Sequence, residues 1–361
     1  MLLYCINTKK IYTDYSKELN EKLVKKNNFP KTKIGIIGTT SWGTALSIIL
    51  ARNYTEINLF ARSVEEANQL TSKRINLKLG GNIKLPNNII ISKINKKINQ
   101  LDLIIIAVPS QSFRKNILEI KDYIQDQTFI VSATKGLEKN TCKRMSEILE
   151  DELGETISNK TCVLSGPNLA LEVISNNHAS TVLAAKNIST ATHVQQILNS
   201  KEFRTYTNSD IIGVELGGSL KNIIALGAGI CDGLQVGDNA KAAFITRGLK
   251  EITRLAVASG ANPETLSGLS GLGDLIATCS SKLSRNHSVG VKLAQGKTIQ
   301  EIKKSMLHIA EGVETTAVAV KLAKKFNVEL PITTGINSIL NQELSVNEAI
   351  SKLLDRNPLH E

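Results

Sequence analysis

The chain runs to 361 residues, 42% of them hydrophobic and 21% charged, with a formal net charge of +11. That length suits two domains with separate cores, and those proportions are ordinary for a globular chain, which excludes fibrous and low-complexity classes. Apolar runs such as 101–108 are strand length, well short of the ~20 residues that span a bilayer, so no membrane partner is expected.

The charge does not point to nucleic acid either. Residues 1–33 concentrate eight lysines against Asp14, Glu18 and Glu21, aromatics make up 4% of the chain, and no Lys/Arg stripe interleaves with them. Five cysteines (Cys5, Cys142, Cys162, Cys231 and Cys279) are scattered without a CxxC pair or a histidine at metal spacing. They read as free thiols in a reducing compartment, a cytoplasmic setting with no metal site. The opening MLLYCINTKK places its lysines after a short apolar stretch and lacks a small-residue cleavage site, so no secretory signal is expected.

In chain order, residues 1–30 are polar and lysine-rich; they read as a poorly structured leader, with which a helix over 16–26 and disorder are equally compatible. From residue 33 the pattern changes. The run 33–38 (KIGIIG) predicts a strand, 41–53 a helix with Ala45, Leu46, Ile49 and Leu50 at helical spacing, and 57–61 (INLFA) a second strand. Runs 101–108 (LDLIIIAV) and 129–133 read as strands buried on both faces, and further strands are expected at 162–164, 181–184 and 204–206. Continuous Ile/Val runs alternating with helical segments predict a parallel sheet covered on both sides. After about residue 208 the strand signals stop. Helices are expected over 211–231, 239–259, 285–293, 299–306 and 314–326, separated by glycine-rich links such as 267–274 (SGLSGLGD). An α/β domain over 31–209 is thus followed by an all-α domain over 210–361.

The first strand leads through Gly38-Thr39-Thr40-Ser41-Trp42-Gly43 into a helix. This is the strand–turn–helix context of the G-x-G-x-x-G dinucleotide fingerprint, with Thr40 at its middle glycine. Glycine is favoured there because the backbone must approach a pyrophosphate closely. Gly38 still supplies the tight turn, Gly43 the close helix–strand packing, and the helix N-terminus its free N–H groups. Read alone, the stretch also fits an ordinary βα turn. The second strand ends Phe60-Ala61-Arg62-Ser63, where a site preferring NAD commonly carries an acid; a guanidinium there suits a 2′-phosphate and favours NADPH, a plain surface arginine being the alternative.

Val108-Pro109-Ser110, Lys135 within Ala133–Glu138, and Ser165-Gly166-Pro167-Asn168 each follow a strand at the carboxyl edge, where open α/β sheets bind ligands. In the helical half, Lys221 sits in a stretch rich in Gly and Ala; a lysine crowded by small apolar residues and near another cation has a lowered pKa, which suits proton transfer. Gly271-Leu272-Gly273-Asp274 reads as a tight loop ending in a carboxylate, and Ser284-Arg285-Asn286 opens a helix as a ready phosphate clasp. Each of these stretches also reads as a cap or a turn.

Taken together, GTTSWGTAL, ATKGLE, LSGPN, ELGGSLKNIIALGAGI, GLSGLGDLIATC, SRN and AEGVET stand in the order and spacing of a known family. Over roughly 33–355 the chain resembles the bacterial-type NAD(P)-dependent glycerol-3-phosphate dehydrogenases. The resemblance implies a Rossmann-type doubly wound sheet (a dinucleotide-binding domain, 31–209) and an all-α C-terminal substrate-binding domain (210–361). It implies reversible reduction of dihydroxyacetone phosphate to sn-glycerol 3-phosphate for phospholipid synthesis, NADP or NAD as cofactor, and a homodimer. It further implies Lys221 as general acid/base, Lys135 as the lysine that polarises the carbonyl and meets both cofactor and substrate, and Asp274 as the group that orients Lys221, with Thr278 nearby. Ser284, Arg285 and Asn286 fall on phosphate-gripping positions, and Gly166 and Asn168 complete the substrate pocket. Gly38, Ser41, Trp42, Gly43, Arg62, Lys135, Ala170, Arg285, Ile309 and Glu311 fall on cofactor positions.

Two departures stand out. The family carries a small residue, mostly glycine, where this chain has Thr40, and Ser or Thr followed by Phe where it has Asn168-Leu169. Two other readings compete. A two-domain dehydrogenase of hydroxy acids or phosphorylated sugar acids would need a carboxylate site in place of 284–286, and a dinucleotide-binding regulator without turnover would not need Lys135, Lys221 and Asp274 together.

Overall fold

The structure is a computed structural model that describes residues 32–80, 83–175, 177–306 and 310–355. The leader read at 1–30, with its helix at 16–26, lies outside the described residues, as does Ile309.

The apolar runs line up side by side. Strands β1 (Ile34–Ile37), β2 (Ile57–Ala61), β3 (Ile89–Lys93), β4 (Leu103–Ile106), β5 (Phe129–Ser132), β6 (Thr161–Ser165), β7 (Ala179–Ala184) and β8 (Phe203–Asn208) form one sheet in the order β3-β2-β1-β4-β5-β6-β7-β8. Ile36 pairs with Leu59 of β2 on one side and Ile105 of β4 on the other. Successive β4 residues serve opposite faces: Leu103 and Ile105 join one core cluster, Ile104 and Ile106 another. That is why the run shows no alternation in sequence.

The sheet is not wholly parallel, which corrects the sequence expectation. β7 runs antiparallel to β6, and β8 pairs parallel with β7. The β6–β7 connection holds only a five-residue helix, α5 below, so the chain returns beside β6 without a full crossover. β8 alternates buried Phe203 and Thr205 with exposed Arg204 and Tyr206, the pattern of an edge strand wetted on one face.

Helices α1 (Ser41–Ala51), α2 (Val64–Lys73), α3 (Phe113–Ile120), α4 (Met145–Ser158), α5 (Ala170–Ile174) and α6 (Ile188–Leu198) connect the strands. The sequence reading missed α2 and β3 for a common reason. α2 buries only Ala67 and Leu70, and β3 is half exposed, so neither carries a strong apolar period.

The second half is helical throughout: α7 (Ile211–Gly233), α8 (Asp238–Ala258), α9 (Pro263–Ser267), α10 (Asp274–Ser280), α11 (Arg285–Ala294), α12 (Ile299–Ser305), α13 (Glu311–Phe326), α14 (Pro331–Leu340) and α15 (Val346–Leu354). The link expected as a tight loop before Asp274 is itself a wide π-helical turn, Leu269–Gly273, that runs into α10. α7 is the axis. Among the described residues it alone is long and apolar enough to cross a membrane, yet 94% of its most apolar stretch is buried by protein. Its glycines serve contact with α11: a Cβ on Gly229 would lie 2.0 Å from the His287 carbonyl oxygen, and one on Gly290 would lie 1.9 Å from that of Leu226. The two backbones touch, which fixes the start of α11 against the middle of α7.

Candidate active site

Strand order turns at β1, which has β2 on one side and β4 on the other, so a crevice opens beyond their carboxyl ends. Gly38 makes the turn there at φ +110°, and a Cβ on it would lie 2.7 Å from the Ala107 carbonyl oxygen. Thr40 N-caps α1: its hydroxyl accepts from Gly43 N at 3.0 Å and donates to Ala107 O at 2.7 Å. The side chain that breaks the fingerprint is thus engaged with the end of β4. The amides of Ser41 and Trp42, in the first turn of α1, have no partner within the helix and face the crevice end. These features fit a dinucleotide pyrophosphate. Trp42 turns its ring toward Phe203, with centroids 6.3 Å apart. Arg62 lies just past β2 and is 81% exposed at its side chain.

At the next strand ends the two lysines meet one carboxylate. Lys135 Nζ donates to Asp274 Oδ2 at 2.6 Å and to Gly166 O at 2.9 Å. Lys221 Nζ donates to Asp274 Oδ1 and to Thr278 Oγ1, the latter at 2.6 Å. Thr278 donates in turn to Asp274 O at 2.7 Å, one helical turn back along α10. Asp274 is 1% exposed and Lys221 6%. Burial lowers the Lys221 pKa to about 8; Asp274 opposes the shift and the charge of Lys135 adds to it. One carboxylate shared between two ammonium groups leaves a net positive site whose buried member yields its proton near neutrality.

Beside this network, Ser284 N-caps α11 by accepting from His287 N at 3.2 Å, and Arg285 is exposed. Asn286 is buried and engaged at both ends: its Nδ2 donates to Asn222 Oδ1 at 2.8 Å, and its Oδ1 accepts from Gly312 N at 2.9 Å. Asn222 follows Lys221 in α7, so a chain of amides ties the start of α11 to the lysine's own helix and to α13. Asn168 Nδ2 donates to Ser180 O at 3.0 Å, while its Oδ1 is buried without a hydrogen bond among the described residues. Ala170 opens α5. Glu311, first in α13, accepts from Ser110 N at 3.2 Å and Ser110 Oγ at 2.5 Å. Burial pushes its carboxyl up, against the Ser110 bonds and the nearby charge of Arg285.

The structure therefore brings Lys135, Gly166, Lys221, Asp274 and Thr278 into one bonded network, with Asn286 joined to it through Asn222. Gly38, Ser41 and Arg62 gather at the crevice over β1 and β2 instead. Ser110 and Asn222 lie within stretches singled out in the sequence, but neither was read as a site residue. Glu215 was missed as a site element: buried in α7, it accepts from Arg144 Nη1 at 2.8 Å, Ser146 N at 2.9 Å and Ser146 Oγ at 2.5 Å, which ties α7 to the first turn of α4. Nothing local in the sequence marks such a partner.

Known proteins resemble the chain over most of its length. Residues 33–191 match the family model for the NAD-dependent glycerol-3-phosphate dehydrogenase N-terminus, and 210–351 the model for its C-terminus. The chain is 48% identical over 332 residues to a glycerol-3-phosphate dehydrogenase (NAD(P)+) of Dehalococcoides mccartyi, covering 91% of this chain and 92% of that one. It is 42% identical over 331 residues to the protein of that name from Bacillus mycoides, covering 91% and 97%. A crystal structure of glycerol-3-phosphate dehydrogenase from Coxiella burnetii superposes with a TM-score of 0.85 at 37% identity, covering 90% of this chain and 99% of that one. The chain belongs to the NAD-dependent glycerol-3-phosphate dehydrogenase family.

Proposed function

We propose that this chain reduces dihydroxyacetone phosphate to sn-glycerol 3-phosphate, reversibly, with NADPH or NADH, and that the product feeds glycerophospholipid synthesis. The observation that carries the reading is the shared carboxylate of Asp274, which holds Lys135 and Lys221 at one point between the sheet and the helical half. The β-stranded half up to Asn208 holds the dinucleotide and the helical half from Ile211 the substrate, a division into domains at 31–209 and 210–361.

A bound nicotinamide dinucleotide supplies the hydride. Lys221 donates the proton to the carbonyl oxygen, and the charge of Lys135 stabilises the oxyanion that develops there. Asp274 and Thr278 hold the Lys221 ammonium in place. The exposed guanidinium of Arg285 takes the substrate phosphate at the N-terminus of α11, joined by the second hydrogen of Asn286 Nδ2 and shaped by Ser284. Gly166 and Asn168 line the same pocket; the open acceptor Asn168 Oδ1 suits a substrate hydroxyl. Gly38, Ser41, Trp42, Gly43, Arg62, Ala170 and Glu311 line the dinucleotide side, and Ile309, outside the described residues, belongs with them by resemblance. The guanidinium of Arg62 favours NADPH. A cytoplasmic homodimer completes the proposal, by resemblance alone.

The test is oxidation of NADPH and of NADH, followed at 340 nm, on adding dihydroxyacetone phosphate to the purified protein. Substrate-dependent oxidation supports the reading. A folded protein that oxidises neither refutes it, and light scattering decides the dimer.

A further inference from the structure

Beside the fingerprint turn lies a group that the catalytic reading leaves unused. Glu66, in the first turn of α2, is 15% exposed at its side chain. Its Oε1 accepts from Lys78 Nζ at 2.8 Å and from Thr39 Oγ1 at 2.8 Å. Lys78 also donates to Thr39 O at 3.1 Å, and Ser41 Oγ donates to Lys78 O at 2.7 Å, so the segment around Lys78 folds over the turn between β1 and α1. The other oxygen, Oε2, is buried, makes no hydrogen bond among the described residues, and faces Arg62 Nε at 3.4 Å. Burial pushes the Glu66 carboxyl up, but the bonds from Lys78 and Thr39 outweigh it, so the group is an anion at neutral pH.

An anion set between two cations weakens the pull of both on a second anion such as a phosphate. We propose that Glu66 sets which dinucleotide the chain accepts, its charge, 3.4 Å from Arg62 and 2.8 Å from Lys78, offsetting their pull on the 2′-phosphate that NADPH carries and NADH lacks. The proposal rests on the dehydrogenase reading and deepens it. In dinucleotide folds the acid that meets the ribose commonly stands at the end of the second strand. Here that place belongs to Arg62, and the acid comes four residues later, one helical turn on, aimed back at the same spot. A 2′-phosphate gains two cations and meets a like charge, so the chain accepts both cofactors. Arg62 alone would predict a strong NADPH preference; the pair predicts a moderate one.

The experiment measures equilibrium binding of NADPH and NADH to the substrate-free protein by nicotinamide fluorescence, for wild type, Glu66→Gln and Lys78→Met. Glu66→Gln should raise the ratio of the NADH to the NADPH dissociation constant by about tenfold, through tighter NADPH binding. Lys78→Met should move the ratio the opposite way by several-fold. A role confined to bracing the turn would change both affinities by one factor, and an unmoved ratio in Glu66→Gln overturns the proposal. Should Glu66→Gln not fold, Lys78→Met decides, an unmoved ratio again overturning it. Wild-type protein that binds neither dinucleotide overturns the dehydrogenase reading itself. Binding with the expected shifts but no turnover of dihydroxyacetone phosphate removes that substrate and leaves the role of Glu66 intact.

Discussion

Three opposing influences set the Lys221 pKa. Burial and Lys135 favour the neutral amine, Asp274 the ammonium, and the balance settles at about 8. If Lys221 is the acid proposed above, it must carry its proton in ketone reduction, so the reduction rate should fall as pH rises through about 8. In the reverse direction it must be neutral, so oxidation should rise through the same range; pH–rate profiles of kcat in both directions check the pair of signs. Lys221→Met removes the proton carrier while keeping most of the buried stem. It should lower kcat by about 10²–10⁴-fold with dinucleotide binding retained, as single-turnover rates and fluorescence titration would show. Thr40 makes a contrasting case. In sequence it is a flaw in the fingerprint, but in the structure it is a helix cap bonded to β4. Restoring glycine by Thr40→Gly should therefore cost about 1 kcal/mol of stability in urea denaturation, through the lost cap and the lost bond to Ala107.

Among the elements, α7 and α11 matter most, because one carries Lys221 and the other begins with Ser284-Arg285-Asn286. Their glycine contact fixes the distance between the proposed proton donor and the proposed phosphate clasp. Gly290→Ala would push a methyl group into the Leu226 carbonyl, 1.9 Å from where its Cβ must go. It should destabilise the protein by ~1–3 kcal/mol and raise the KM for dihydroxyacetone phosphate more than that for the dinucleotide, which steady-state kinetics separates. The glycine-rich composition of 216–229 was readable as close packing, and the helix itself was plain. Its partner was not, since nothing in that stretch says which backbone comes near. Likewise residues 181–184 read as a strand, but the direction of β7 depends on the length of the preceding connection and on which neighbour has an open edge.

Among the described residues, long-range side-chain bonds join the stranded half to the helical half. Lys135 meets Asp274 across 139 residues of chain, Ser110 meets Glu311 across 201, and Arg144 meets Glu215 across 71. Glu215→Ala should cost about 1–3 kcal/mol in chemical denaturation, because it removes the Arg144 and Ser146 bonds that tie α7 to α4, although Glu147 still pairs with Arg144 at 3.3 Å. By themselves, the residues in order determined the strands of the sheet centre, the long helices, the fingerprint turn and the motif set that names the family. All of these are written in local apolar periods or in short runs that stay contiguous. The tertiary structure alone decided that Asp274 is shared by two lysines, that Thr40 faces β4, that Asn286 is bonded at both ends, and that Glu66 stands between Arg62 and Lys78. The physical reason is the same in each case. A side chain's partner is set by which strand ends and helix starts the fold brings within about 3 Å, and that distance has no signature in sequence spacing.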